Sequence, residues 1–177
     1  MKNVFFLFAF LIGLSACNKD FKDPLAQSYA GQDSLYCNDP AAINYNYEFP
    51  GTADNTTCIY PTDVFVGKYA LLDSIYTSDF ASFYVVTDTV DIYALSKTRM
   101  AMVGYCGPFD SIKLTAGRYY KATIDSTITN GQPLCNIKDT ISGTFAVDAT
   151  ERVRLSFTQV GDTAGIKYHR GTATPIQ

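Results

Sequence analysis

The stretch "RVRLSFT", residues 152–158, decides the fold. Val153, Leu155 and Phe157 fall on one parity, with Arg152, Arg154, Ser156 and Thr158 on the other. Successive side chains leave a strand on opposite sides, so this alternation predicts a strand with one buried and one solvated face. The same reading extends outward. "KATIDSTI" (121–128) groups Ala122, Ile124 and Ile128 against Lys121, Thr123, Asp125 and Thr127. "DTISGTFAV" (139–147) groups Ile141, Phe145 and Val147. "GIKYHR" (165–170) groups Ile166 with Tyr168, which puts Lys167 and His169 on the solvent face.

Turn formers separate these runs: Thr77-Ser78-Asp79, Gly107-Pro108, Asn130-Gly131, Asp148-Ala149-Thr150 and Gly161-Asp162. Asn-Gly is the strongest hairpin signal among them, because both residues tolerate positive φ. The pattern predicts an all-β domain: an antiparallel meander of about eight strands forming a barrel or sandwich. Closure of such a sheet hides its edges.

Composition agrees. The chain holds 13 Tyr and 12 Phe but no Trp, and charged residues are too sparse for a disordered or coiled-coil protein. No basic cluster occurs, which argues against nucleic acid as a partner. There are five cysteines. Setting Cys17 aside leaves Cys37, Cys58, Cys106 and Cys135, an even set that predicts disulfides in an exported protein. Three connectivities are open. The close pair Cys37 with Cys58 is the first choice, leaving Cys106 for Cys135. Zinc is disfavoured by the absence of CxxC and by a single His, so no metal or other cofactor is expected.

The N-terminus, "MKNVFFLFAFLIGLSACNKD" (1–20), carries one Lys and then an uncharged apolar run, Val4–Leu14. As a helix that run spans about 17 Å, short of a hydrocarbon core of about 30 Å, so it reads as a signal peptide. Leu14-Ser15-Ala16-Cys17 resembles the lipobox of bacterial lipoproteins. The resemblance implies cleavage before Cys17 and a diacylglycerol on its sulfur, hence anchoring in a bacterial envelope, in the outer membrane. Without Lys2, 13 basic residues face 17 acidic ones. Residues 18–36 are polar and aperiodic, a tether of about 25 Å as a coil.

The segment 37–61 contains Cys37, Asp39, Pro40, Ala42, Asn44, Tyr45, Asn46, Asp54, Asn55, Thr57 and Cys58. It resembles a small cysteine module of Bacteroidota-type surface proteins, C-x-D-P-x-A-x-N-Y-N followed by D-[DN]-G-[ST]-C. It departs from that pattern at Tyr47, at Thr56 and in a longer middle. In that family the module is a spacer, and Asp39, Asn44 and Asn46 suit Asx-type turns. Thr56 and Asn55 replace residues a calcium loop would need. The organisation expected is therefore signal peptide 1–16, lipidated Cys and tether 17–36, spacer module 37–61 and β domain 62–177.

Chemistry-bearing motifs are scarce. His169 stands alone and reads as a surface residue, with no nucleophile or acid assignable to it. No phosphate loop or paired-His metal motif is present. Asp88 and Asp91 form a carboxylate pair that reads as turn chemistry, so no catalytic residue is assigned and no enzyme is expected. Asp-[Ser/Thr] followed by an apolar residue or Thr recurs, beginning at Asp33-Ser34-Leu35. It is similar to the O-glycosylation acceptor pattern of Bacteroidota-type exported proteins, with Ser34 the most accessible candidate. "FVGKY" (65–69) resembles the opening Gly-x-Trp of lipocalins, with Tyr69 in the Trp position; Arg170 would pack across it.

The function expected is a non-enzymatic, membrane-anchored envelope lipoprotein whose β domain acts in adhesion or envelope interaction, with envelope proteins or glycans as partners. The alternative is a lipocalin-like carrier of a small apolar ligand. A carrier needs a spacious interior, and an interaction module needs exposed Tyr and Phe gathered in one patch.

Overall fold

A computed structural model describes residues 34–46, 51–79, 83–107, 110–129, 131–161 and 165–176. The signal-peptide and lipobox residues, Cys17 and the tether up to residue 33, lie outside the described residues, as does Asn130.

Two short strands open the chain, β1 (Leu35–Tyr36) and β2 (Thr52–Ala53), paired in parallel. A single turn of 3-10 helix follows at Asn55–Thr57. The remaining strands are β3 (Gly67–Thr77), β4 (Phe83–Ala94), β5 (Arg99–Val103), β6 (Ser111–Gly117), β7 (Lys121–Ile124), β8 (Gln132–Leu134), β9 (Asn136–Val147), β10 (Val153–Gly161) and β11 (Gly165–Pro175). Antiparallel pairing runs β3-β4-β5-β6-β7-β9-β10-β11, and β11 pairs back onto β3. The sheet is thus an eight-stranded closed barrel with β8 as an extra strand on β9. This is the barrel solution of the predicted all-β meander.

The parity rule places the core. Tyr69 and Leu71 of β3, Val90 and Ile92 of β4, and Met100 and Met102 of β5 point inward and are buried. So do Leu114, Ile124, Ile141, Phe145, Val153, Leu155 and Phe157. Phe65, fully buried, closes one end, and the Tyr69 hydroxyl donates to its carbonyl at 2.8 Å. Burying each such side chain contributes about 1.5–3 kcal/mol. The outer face carries Lys, Arg, Thr and Ser, as at Arg154, Ser156, Arg170 and Thr172.

The wall is uneven. Five residues form β5 and four form β7, whereas β4 and β9 have twelve each. As a result β5 covers only Asp91–Ala94 of β4, and β7 covers only Thr144–Ala146 of β9. Two irregular pieces complete the wall above these short strands. The segment after β5 runs beside β4 with Gly104 at φ 100°, where a Cβ would lie 2.4 Å from the Thr89 carbonyl oxygen. From the other side β8 pairs with β9, and Cys106–Cys135 joins the two pieces with Cα atoms 5.0 Å apart. The Gln132 side chain then stands in for a strand. Its amide oxygen accepts from Lys113 N–H at 2.9 Å, and its NH₂ donates to the carbonyls of Lys113 at 2.6 Å and Asp125 at 3.1 Å.

Two strand readings are corrected. The strand holding Ala122 and Ile124 ends there, and Ile128 sits exposed in the turn that bridges to Gly131. On β11 the parity is reversed: Ile166 and Tyr168 face out, and His169, Gly171 and Ala173 face in. Small residues at 171 and 173 fit the barrel interior, and a partner inside the barrel satisfies His169.

Candidate functional site

The cysteine module docks on the barrel. Cys37–Cys58 closes it, with Cα atoms 4.8 Å apart, and Cys37 and Ala42 are buried. Asn44 spans its width, donating to the Thr57 carbonyl and accepting from Ile59 N–H, both at 2.8 Å. Asp39 makes the expected turn by accepting from Ala41 N–H at 2.9 Å. Its other oxygen accepts from Tyr60 Oη at 3.0 Å and from Lys97 of the β4–β5 turn at 2.5 Å. The Lys97 ammonium, followed by the Ala41 N–H, lowers the Asp39 carboxyl to about 2. Ser34 lies at the edge of this module, its carbonyl accepting from Thr52 N–H at 3.1 Å.

The sequence reading missed a polar cluster at the other end of the lumen. Asp73 of β3 is fully buried and His169 of β11 is 2% exposed, so His169 is not the surface residue expected. His169 Nδ1 lies 2.7 Å from Asp73 Oδ2. Tyr105, delivered by the segment after Gly104, brings its Oη to 2.7 Å from Asp73 Oδ2 and 3.0 Å from His169 Nδ1. Burial first, then the Asp73 charge, pushes the Tyr105 phenol well above its ordinary range. Phe157 stacks flat on His169, with centroids 4.2 Å apart and planes 11° from parallel.

The protons can be placed from the partners. Gln159 Nε2 donates to Asp139 Oδ2 at 3.1 Å, which turns Gln159 Oε1 towards His169 Nε2 at 3.1 Å. Nε2 therefore carries a hydrogen, since an amide oxygen only accepts. The 2.7 Å contact of Nδ1 with Asp73 Oδ2 holds one further proton, which makes the pair neutral overall and bearable in the interior. Asp73 Oδ1 is buried and accepts no hydrogen bond. Across from it stands Gly171, where a Cβ would lie 3.5 Å from that oxygen.

This arrangement does not form a nucleophile–His–Asp triad. The ring nitrogen that would activate a nucleophile faces the Gln159 amide. Asp88 and Asp91 do not converge: Asp91 lies 3.9 Å from Lys68 on the outside, and Asp88 has the inward parity of Val90 and Ile92. Arg170 does not cover Tyr69. It points outward and donates to Ser156 Oγ, while Tyr69 is inside. Among the described residues no three His, Cys, Asp or Glu side chains gather to hold a metal.

A signal for the cluster was present. In "YALLDSIY", Asp73 shares parity with Tyr69, Leu71 and Ile75. A carboxylate on a buried parity requires a partner, and the single His was available.

Outside the barrel at the same end, β11, β3 and β4 carry an aromatic row. Tyr168 is opposite Tyr76, and Tyr76 is opposite Phe83. The rings of Tyr76 and Phe83 stack with centroids 5.8 Å apart, and Phe83 is 65% exposed. Exposed Val85 and Ile166 lie two residues from Phe83 and Tyr168 on the same strands, and exposed Val160 is opposite Ile166.

No family model matches the chain, and no curated protein matches it. A solved structure of a protein of unknown function from Bacteroides ovatus is similar at 13% identity and a TM-score of 0.41. The match covers 62% of this chain and 41% of that one, so the chain spans about two fifths of that protein's length.

Proposed function

We propose that the chain is a lipid-anchored protein of a bacterial cell envelope, held by Cys17, whose barrel docks another envelope protein and catalyses no reaction. The observation that carries the docking reading is the row Tyr168–Tyr76–Phe83 with its apolar surround. Aromatic side chains gathered on an exposed face are typical of protein contact surfaces, where their area is covered at little entropic cost. The interior supports the same reading. Phe65, Met100, Met102, Leu114, Ile141 and Phe145 fill space that a carrier of an apolar ligand would leave open. Two disulfides accord with an oxidising compartment.

Two experiments in the native envelope test the proposal. An alkyne-tagged fatty acid should label the protein through Cys17 and fail to label Cys17→Ser; equal labelling of both contradicts the anchor. A photo-crosslinking residue at position 83 should give one discrete adduct, and the same residue at exposed Lys121 should give none. Equal or absent adducts at the two positions would remove the docking face.

A further inference from the structure

We propose that Asp73, Tyr105 and His169 form a binding site for a first-row transition metal ion, with Fe³⁺ the ion that suits them best. Three donor atoms, Asp73 Oδ2, Tyr105 Oη and His169 Nδ1, make a triangle with edges of 2.7, 2.7 and 3.0 Å. Two donors about 2.05 Å from one ion and at right angles to each other are about 2.9 Å apart, the edge of an octahedral face. The triangle has that size without any rearrangement.

Both short contacts of this triangle converge on a single oxygen, Asp73 Oδ2. One phenol proton and one proton shared by Asp73 and His169 serve two edges, while the third brings Tyr105 Oη and His169 Nδ1 to 3.0 Å with no proton left for it. Asp73 Oδ1, in the same buried place, accepts no hydrogen bond. A cation seated over the triangle would engage all three donors, and Oδ1 could serve as a second carboxylate ligand. Coordination displaces the two protons to solvent, leaving carboxylate, phenolate and neutral imidazole on the ion.

The surroundings are those of a prepared ligand set. A metal-binding His ordinarily donates its other N–H to a fixed acceptor, and here Nε2 faces Gln159 Oε1, itself held by Asp139. Phe157 fixes the plane of the ring. Asp73 and His169 stand on neighbouring long strands, β3 and β11. Tyr105 adjoins Cys106, whose bond to Cys135 ties the segment to the wall. Tyr105 is also the partly buried member of the three, which gives an ion a route in. Two anionic oxygens and one imidazole favour a hard, highly charged ion over a thiophilic one, and the two negative charges offset most of the charge on Fe³⁺.

Full-length protein in mild detergent, stripped with chelator, would be titrated with ferric nitrilotriacetate. One equivalent should bind and give a visible phenolate-to-iron charge-transfer band. Tyr105→Phe, which keeps the ring, should abolish the band and weaken binding at least tenfold. Gln159→Leu should keep the band and weaken binding about 10–100-fold. Circular dichroism confirms that each variant is folded. Failure of the folded wild-type protein to take up iron overturns the proposal, as does a band that survives in Tyr105→Phe. Uptake without a band means iron held elsewhere on the surface and overturns it equally.

Discussion

The two ends of the barrel lumen are built on different physics. At the closed end Phe65, Met100, Leu114 and Phe145 meet through area and shape. At the opposite end Asp73, Tyr105, Gln159 and His169 meet through directed contacts of 2.7–3.1 Å. Shape is tolerant, because apolar side chains of similar volume can repack. Direction is not, because a buried donor or acceptor deprived of its partner keeps its full desolvation cost. The first end holds the barrel together, and the second determines which residues can stand in it.

Substitutions can break or sharpen this contrast. The largest effect expected is at His169. His169→Leu leaves the Asp73 carboxylate buried beside a hydrocarbon and should cost about 3–5 kcal/mol by urea denaturation. Adding Asp73→Leu should recover a good part of that loss, because no buried carboxylate would then stand without its His169 partner. A double variant no better than the single would mean the two residues act independently.

Next comes Gln132, where a side chain does the work of a strand. Gln132→Leu takes the acceptor from the Lys113 N–H, while the Lys113 carbonyl keeps the Asp125 N–H, and should cost about 1–3 kcal/mol. Hydrogen exchange at Lys113 should speed up more than at Leu155 on the far wall. At the closed end Met100→Leu keeps the volume and should cost less than about 1.5 kcal/mol. A larger loss there would mean that the closed end is as exacting as the polar one.

The smallest effect is on pH. The Asp39 carboxyl is lowered to about 2 by Lys97 and the Ala41 N–H, so its contribution is fully present above the ordinary carboxylate value. It should fade as the pH falls from about 4 to about 2, loosening the module from the β4–β5 turn without opening the barrel. The Tyr60 ring resonances should report this midpoint. A barrel that unfolds in the same step would show that module and barrel are one cooperative unit.

Legibility in the sequence followed the same division. Alternation located β10 and β9 because Val153, Leu155 and Phe157 share one parity, as do Ile141, Phe145 and Val147. Cysteine number and spacing indicated both crosslinks, which the structure contains. Alternation failed on β11, where Ile166 and Tyr168 are more apolar than Lys167 and His169 yet face out. Hydrophobicity ranks residues singly, while the burial of His169 depends on Asp73, 96 residues earlier in the chain. Tyr105 was beyond reach for the same reason. Its place depends on the shortness of β5, the bend at Gly104 and the Cys106–Cys135 bond acting together.

The polar end can be tested most directly by long-range ¹H–¹⁵N correlation spectra of the His169 ring in chelator-treated protein. A buried ring fixed between Asp73 and Gln159 predicts a slowly exchanging Nε2 proton and cross-relaxation from the ring to Phe157 and Tyr105. A ring whose nitrogens exchange freely with water, without contact to Phe157, would contradict the polar half of the lumen and every role assigned to it.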